Sequence, residues 1–121
     1  MSRYTLFFSL LLCSLLVNSE ATNPNIHKES FENGNPKYEI SYKNKLKHGK
    51  EIFWYESGNK KMQSHFVNGI ENGSWKQWYE NGQLKSYVKF IDGIKEGTET
   101  IWNKNGAVRS KDEYINGKVI K

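Results

Sequence analysis

The sequence predicts an all-β protein, an elongated antiparallel sheet of stacked β-hairpin repeats that follows a cleaved signal peptide. Three features of the 121-residue chain support this fold class. Glycines, aromatic residues and cations recur every 24 residues, most glycines follow Asn, Asp or Ser, and polarity alternates along the chain between these turns. A fixed period of this size indicates a repeat architecture, and alternation with a period of two is typical of half-buried strands.

The first 21 residues have the layout of a secretory signal peptide. Arg3 gives a basic start, residues 5–17 are almost wholly apolar, and Ser19 and Ala21 occupy the small-x-small positions of a cleavage site. A membrane anchor is the alternative, but thirteen helical residues rise only about 20 Å, short of the roughly 30 Å hydrocarbon core. We expect cleavage after Ala21, and therefore a secreted, periplasmic or envelope location.

Lipidation at Cys13 is a second alternative, which its position inside the apolar run and the preceding Leu12 disfavour. Cleavage after Ala21 would leave 100 of the 121 residues and would remove Cys13, the only cysteine. It would also remove one cation and one anion, Arg3 and Glu20, so that the formal net charge stays at +5. Stability must then come from packing without a disulfide, and the basic excess favours either acidic partners or plain solubility.

The mature chain divides into a short arm and a repeat array. Residues 22–30 are polar and contain Pro24, which predicts a flexible N-terminal arm. The array occupies residues 31–121. We expect a degenerate copy at about 31–53, complete copies at 54–77 and 78–101, and a truncated copy at 102–121.

The repeat is defined by columns of residues that share one 24-residue register. The first copy departs from two of these columns, because Ser30 stands in place of the tryptophan and Lys45 in place of a glycine. The glycine and aromatic columns are Gly34, Gly58, Gly82, Gly106; Gly49, Gly73, Gly97; Gly69, Gly93, Gly117; Trp54, Trp78, Trp102; and Tyr42, Phe66, Phe90, Tyr114.

The glycine columns mark turns, and the segments between them read as strands. Asn68-Gly69 and Asp92-Gly93 are dipeptides that tolerate the positive φ of tight hairpin turns. Residues 84–91 alternate in polarity as a half-buried strand does. Each repeat is therefore two strands with two turns. A lone hairpin is only marginally stable in water, so successive hairpins are expected to stack and stabilise one another.

These columns resemble the MORN-repeat variant family. The segment W-Y-E-N-G-Q-L-K at residues 78–85, followed by Phe90, Asp92-Gly93 and Gly97, is similar to the repeat of bacterial proteins often labelled YwqK-type antitoxins. The resemblance implies an elongated sheet of hairpins that serves in interaction or scaffolding rather than in catalysis. It also implies a protein partner for antitoxin-like members, and contact with phospholipid heads or a membrane skeleton for some others.

The mature sequence contains no arrangement typical of an enzyme. It lacks a cysteine nucleophile, and its histidines, His27, His48 and His65, have no metal-ligand spacing. The acidic residues fall mostly in turns or on polar strand faces, and an open sheet rarely builds a deep pocket. We therefore predict a non-catalytic protein without a metal or cofactor, and we expect no nucleic acid partner.

A column of cations is the first candidate binding feature. Its members are Lys37, Lys61, Lys85 and Arg109. If equivalent strands recur two places apart, the column advances about 10 Å per repeat and forms a basic stripe. Such a stripe suits an acidic lipid surface or polymer, at about 1 kcal/mol per cation. The alternative is that these cations keep the exposed face soluble and block edge pairing.

Two aromatic residues that depart from the repeat form the second candidate feature. The ring columns Trp54, Trp78, Trp102, Phe66 and Phe90 are expected to form the core, because large rings bury the most area. Trp75 and Tyr87 have no aromatic counterparts in the other copies. Since the fold does not require them, we predict that they form a partner-specific patch, which would suit either a carbohydrate or a protein contact.

Three functions remain open from the sequence. The leading one is an exported interaction module that binds a protein or envelope partner. The alternatives are a binder of anionic lipid or polysaccharide at the cell envelope and an antitoxin-like or immunity protein. Asn72-Gly73-Ser74 is a glycosylation sequon, which has meaning only in a eukaryotic host.

Overall fold

A computed structural model describes residues 24–121, which form ten strands in a single antiparallel sheet. The predicted signal peptide and its cleavage site lie outside the described residues. The strands are β1 (Asn25–Ser30), β2 (Pro36–Lys43), β3 (Leu46–Trp54), β4 (Lys60–Val67), β5 (Ile70–Glu71), β6 (Gly73–Trp78), β7 (Leu84–Ile91), β8 (Ile94–Trp102), β9 (Val108–Ile115) and β10 (Lys118–Val119).

Successive strands are neighbours throughout the sheet. The order is β1-β2-β3-β4-β6-β7-β8-β9-β10, and the short β5 pairs with β4. The equivalent strands β2, β4, β7 and β9 thus occupy every second place, as the repeat predicts. The all-β fold of stacked hairpins is confirmed. The described residues contain no helix long and apolar enough to cross a membrane.

The N-terminal arm is largely a strand. β1 pairs along its whole length with β2, from Asn25 opposite Tyr42 to Glu29 opposite Tyr38, with an irregularity at Ser30. The expectation of a flexible arm over residues 22–30 is therefore corrected for residues 25–30. Their side chains are all exposed, so the sequence has no alternation of buried apolar residues that would predict a strand. The strand is held by the backbone hydrogen bonds of its pairing with β2.

The tight turns have the backbone geometry that their sequences predict. At Asn68-Gly69 the φ angles are 48° and 82°, and Asp92-Gly93 and Asn116-Gly117 are alike. Two successive positive φ angles suit the right-handed twist of a two-residue hairpin. The first copy keeps this turn without a glycine, because Lys45 adopts a φ of 64° after Asn44.

The longer turns stack on one another through side chains that reach the next repeat. Asn59 Nδ2 donates to the carbonyl of Glu80 at 2.7 Å, and Asn81 Nδ2 donates to the carbonyl of Lys104 at 3.1 Å. Tyr79 Oη donates to the carbonyl of Trp102 at 2.9 Å, and Tyr55 Oη donates to the carbonyl of Trp78 at 2.8 Å. These bonds join each hairpin to its neighbour beyond the strand ladder.

Burial in the sheet is shallow. The buried apolar side chains of the described residues are Ile52, Phe66 and Val88. The expectation of an aromatic core is confirmed at Phe66, whereas Phe90 and the three repeated tryptophans at 54, 78 and 102 are half-buried. A single sheet has no second layer to cover its faces, so its rings are shielded only by their neighbours.

Candidate binding groove

Four columns of side chains meet within each two-strand unit and build the candidate site. We name them the cation, carboxylate, cross-strand and ring columns after their members in residues 47–68. The cation column is Lys47, Glu71 and Lys95, and the carboxylate column is Glu51, Trp75 and Glu99. The cross-strand column is Ser64, Val88 and Asp112, and the ring column is Phe66, Phe90 and Tyr114. Cross-strand pairing places Glu51 opposite Ser64, Trp75 opposite Val88, and Glu99 opposite Asp112.

In residues 47–68 the four columns form a closed polar cluster. Lys47 Nζ lies 2.5 Å from Glu51 Oε1, and Ser64 Oγ donates to Glu51 Oε2 at 3.0 Å. The same ammonium lies 4.9 Å from the centroid of the Phe66 ring. Glu51 is only 5% exposed. A carboxylate so buried requires a charged partner, and the chain supplies it four residues earlier.

Residues 95–116 repeat the lysine, glutamate and ring of this arrangement, with Asp112 in place of Ser64. Lys95 Nζ lies 2.9 Å from both carboxylate oxygens of Glu99 and 4.8 Å from the centroid of the Tyr114 ring. Burial disfavours the ammonium, but the hydrogen bond and charge of Glu99 outweigh it and raise the pKa of Lys95. The hydrogen bond to Glu99 also raises the pKa of the Tyr114 hydroxyl. The cluster thus holds its protons more tightly in the folded state.

The intervening unit, residues 71–92, lacks the cluster and has a groove instead. Glu71 occupies the cation column and Trp75 the carboxylate column, while Phe90 keeps the ring. The groove has a volume of about 310 Å³ and is lined by Glu71, Trp75, Val88, Phe90, Lys95 and Glu99. Val88 is 1% exposed and forms its floor. Among residues 24–121, the Glu71 carboxylate forms no ion pair or hydrogen bond.

The two predicted aromatic patch residues do not lie together. Trp75 lines the groove. Tyr87 pairs with Lys76, whereas the adjacent Val88 pairs with Trp75. Successive residues of a strand point to opposite faces, so Tyr87 lies on the other side of the sheet, where Lys76 Nζ is 5.9 Å from its ring centroid. A single patch of both rings is therefore excluded.

The predicted basic stripe, whose members are here called the β-bulge cations, has a structural origin that the sequence did not reveal. Its members are Lys37, Lys61, Lys85 and Arg109. Gln77 pairs with Ser86 and Trp78 pairs with Leu84, which leaves Lys85 as the extra residue of a β-bulge. The same irregularity occurs at the other members of the column, Lys37, Lys61 and Arg109. Bulges re-aim side chains and increase strand twist, so each copy presents a cation at this point.

Some of the β-bulge cations contact other residues of the chain. Lys37 Nζ lies 2.7 Å from Glu29, and that hydrogen bond raises the pKa of Lys37 and lowers the pKa of Glu29. Lys61 and Lys85 each lie 5.5 Å from a tyrosine ring centroid, that of Tyr55 or Tyr79. The Lys37–Glu29 pair is exposed, and at 5.5 Å the two cation–π contacts are weak. They leave the ammonium groups open to an external anion.

The three histidines make contacts with neighbouring residues of the sheet. His27 packs against Tyr42 with ring centroids 4.9 Å apart, and His65 Nδ1 donates to the carbonyl of Asn72 at 2.9 Å. His48 Nδ1 accepts the backbone N–H of Asn68 at 3.3 Å. Within residues 24–121 no cluster of three or more histidine, cysteine or acidic residues could hold a metal ion.

Sequence reasoning identified Trp75 but missed the other groove residues. One signal was available, because Glu71 breaks a column that holds lysine at positions 47 and 95. Lys95 and Glu99 could be assigned to the groove only once the register of β7 and β8 placed Phe90 opposite Lys95. The cross-strand pairing, not the local motif, brings these side chains together.

The fold and the groove define a repeat protein built of β-hairpins with an open groove on one sheet face. A family model for the MORN repeat variant matches residues 25–44, 47–68, 71–92 and 95–116, which together make up most of the chain. The chain therefore belongs to the MORN repeat variant family. The first matched segment begins at β1, consistent with its pairing to β2. No curated protein and no solved structure matches significantly.

Proposed function

We propose that this chain is an exported, non-catalytic interaction module that binds a partner protein through the groove around Trp75. The observation that carries the proposal is the difference between neighbouring copies. Residues 47–68 and 95–116 fill these positions with their own lysine–glutamate pair, whereas residues 71–92 leave a groove with an aromatic wall. Half-exposed tryptophans in concave, mixed-polarity surroundings are typical of energetically important interface residues.

Binding rather than catalysis fits the character of this site. The groove is open to solvent along one face of a single sheet, and its lining charges are the Lys95–Glu99 pair and the lone Glu71 carboxylate, with no second unpaired acid or base among the lining residues that the structure describes. General acid–base catalysis usually relies on a pair of groups that face the substrate together, and within the described part of the chain this groove offers Glu71 alone. In this proposal the groove residues provide contact area and charge, and the remaining copies hold the sheet in shape.

Export is supported by the sequence of residues 1–21 and has a direct test. The protein is expressed in its host with a C-terminal affinity tag and recovered from the medium or envelope. We expect the intact mass of a chain that begins at Thr22. A recovered chain that still carries residues 1–21 would contradict cleavage, and a chain found wholly inside the cell would contradict export.

The partner is tested by capture with matched variants. The wild-type protein and the Trp75→Leu and Tyr87→Leu variants are immobilised and exposed to the host's envelope fraction, and captured proteins are quantified by mass spectrometry. We expect a specific protein whose recovery falls at least about tenfold with Trp75→Leu, since interface tryptophans often contribute 2 kcal/mol or more. Tyr87→Leu, on the opposite face, should retain it. Equal recovery by the wild type and Trp75→Leu would refute the proposed site.

A second candidate function is supported by the β-bulge cations. Lys37, Lys61, Lys85 and Arg109 recur on every second strand, at intervals of about 10 Å. The formal net charge of +5 adds a favourable long-range field for an anionic lipid or polysaccharide. This function would depend on salt and would not depend on Trp75. An antitoxin-like or immunity role would be the case of protein binding in which the partner is a toxin.

A further inference from the structure

We infer that the groove around Trp75 binds a lysine or arginine side chain of the partner protein. This inference rests on the proposed function and names the chemistry that the groove would recognise. Its basis is that the chain itself contains two filled copies of the same site. In both, an ammonium group lies against an aromatic ring and is paired with a carboxylate.

The filled copies show what the site accommodates. Lys47 and Lys95 place Nζ 4.9 Å and 4.8 Å from the ring centroids of Phe66 and Tyr114. Ring faces attract cations within about 6 Å of the centroid. The partner carboxylates follow four residues later in each copy. The ring column therefore serves as one wall of a cation site in these two units.

The vacant copy keeps a ring and a carboxylate but has no lysine in the cation column. Phe90 retains the ring, and Trp75 adds a second, stronger π surface. Glu71 supplies a carboxylate that no cation among residues 24–121 neutralises. Lys95 reaches the groove, but both oxygens of Glu99 hold its ammonium. The formal charges of the lining residues therefore sum to −1 within a protein of net charge +5.

A cationic side chain complements this groove better than a neutral ligand does. An unpaired carboxylate in a partly desolvated site loses hydration when a neutral ligand covers it. A lysine or arginine replaces that hydration with a charge-assisted hydrogen bond and stacks its alkyl stem or guanidinium plane on the rings. The volume of about 310 Å³ is sufficient for one such side chain.

The test uses small probes and the exported protein, which is expected to begin at Thr22. Acetyl-Gly-Lys-Gly-amide, acetyl-Gly-Arg-Gly-amide, acetyl-Gly-Gln-Gly-amide and a neutral trisaccharide are titrated separately to millimolar concentrations. The Trp75 indole N–H signal is followed by nuclear magnetic resonance. We expect saturable shifts with the two cationic peptides and an affinity roughly fivefold lower for the glutamine peptide. Equal or tighter binding of the glutamine peptide or the trisaccharide would overturn the inference.

Variants then separate the carboxylate from general charge effects. Glu71→Gln should weaken binding of the cationic peptides roughly fivefold, because it removes the charge and keeps the shape. Glu80→Gln makes the same change of net charge at an exposed turn residue and should alter affinity less than about twofold. Equal effects of the two variants would show that the groove carboxylate has no specific role, and would refute the inference.

The sharpest variant closes the groove with the chain's own chemistry. The triple substitution Glu71→Lys, Trp75→Glu and Val88→Ser copies Lys47, Glu51 and Ser64 into the central unit, where Phe90 already matches Phe66. Because residues 47–68 carry this combination within the same fold, we expect a folded protein with a dispersed spectrum. The probes are followed by the shifts of backbone amides beside the groove, and their binding should be lost. Undiminished binding by this variant would overturn the inference.

The outcomes also separate the inference from the proposed function. If partner capture depends on Trp75 but the cationic probes do not bind, the interaction module stands and the cation site fails. If capture is independent of Trp75, the proposed site fails whatever the probes do. Loss of capture by the triple variant, together with Trp75-dependent capture and binding of cationic probes, would support both.

Discussion

The turn at Asn44-Lys45 offers a quantitative test of how the repeat is built. The equivalent turns end in Gly69, Gly93 or Gly117, whereas Lys45 adopts a φ of 64° without the freedom of glycine. We predict that Lys45→Gly stabilises the protein. The change removes a charge from an exposed turn and leaves the strand pairing of Lys43 with Leu46 unaltered.

The magnitude follows from two opposing backbone terms. A left-handed conformation costs a residue with a Cβ roughly 1–2 kcal/mol. Glycine loses more chain entropy on folding, which offsets roughly 0.5–1 kcal/mol of that gain. The expected increase in the free energy of unfolding is therefore about 0.5–1 kcal/mol. For a domain of about 100 residues this corresponds to a rise in melting temperature of about 2 to 6 °C.

The reciprocal substitution provides the matched control. Gly69→Lys converts the next turn into the Asn-Lys sequence of the first, and should cost about the same 0.5–1 kcal/mol. Gly69 has a φ of 82°, and a Cβ placed there would lie 3.6 Å from the Leu46 side chain, an ordinary contact. The cost would therefore come from the backbone alone. At Gly93 the same atom would lie 3.2 Å from Ile70, which would add a steric contribution.

The assay is urea unfolding followed by tryptophan fluorescence and circular dichroism, with thermal melts as a second measure. Lys50→Gly is a control for the loss of a lysine, because Lys50 is exposed in β3 and has no positive φ. It should destabilise the protein by about 0.5–1 kcal/mol. If Lys45→Gly lowers the midpoint, or if Gly69→Lys leaves it unchanged, backbone strain does not explain the glycine column.

Three further predictions concern a ring, an ion pair and the bulge cations. Trp78→Ala should lower the free energy of unfolding, measured by urea melts, by about 2 kcal/mol. This is less than the roughly 3–5 kcal/mol lost with a fully buried ring, because Trp78 is half-buried. Folding raises the pKa of Lys95, so its ion pair with Glu99 contributes fully to stability below the ordinary lysine pKa of 10.5. Thermal stability should therefore fall as pH rises beyond about 10.5, where Lys95 loses its proton. Lys95→Met should flatten that decline, and an equal decline in the variant would contradict it. If the second candidate function operates, Lys61→Gln with Lys85→Gln should weaken sedimentation with acidic vesicles at low salt, and unchanged sedimentation would exclude these cations.

The strands and tight turns could be predicted because their causes are local. Positive φ at Asn68 and Gly69 follows from the dipeptide itself, and the alternation of residues 84–91 follows from a half-buried strand. β1 could not be predicted in this way. All six of its side chains are exposed, and it is a strand because β2 offers it a free edge. That cause lies in a neighbouring segment and leaves no pattern within residues 25–30.

The candidate site, like the fold, could be predicted only in part from the sequence. Trp75 could be selected from the sequence, since it departs from a column whose other members are Glu51 and Glu99. The same reasoning selected Tyr87, which lies on the opposite face. The face of each residue depends on the register between β6 and β7, which pairs Trp75 with Val88. A one-residue shift would exchange the faces, so columns alone could not decide which departures meet.

A repeat array makes the absence of an interaction informative. Each copy is stabilised mainly by its own contacts and by its immediate neighbours, so one copy can lose a cluster while the flanking copies retain theirs. The ion pairs at Glu51 and Glu99 flank the groove on either side. Replacing both members of a partly buried pair by groups that need no partner is often nearly neutral for stability. Trp75 meets that condition and Glu71 does not, because its carboxylate has no cation partner within residues 24–121. In the cation site that we infer, Glu71 is thus the residue that an external cation would pair with, so Glu71, more than Trp75, is the position that tests the inference.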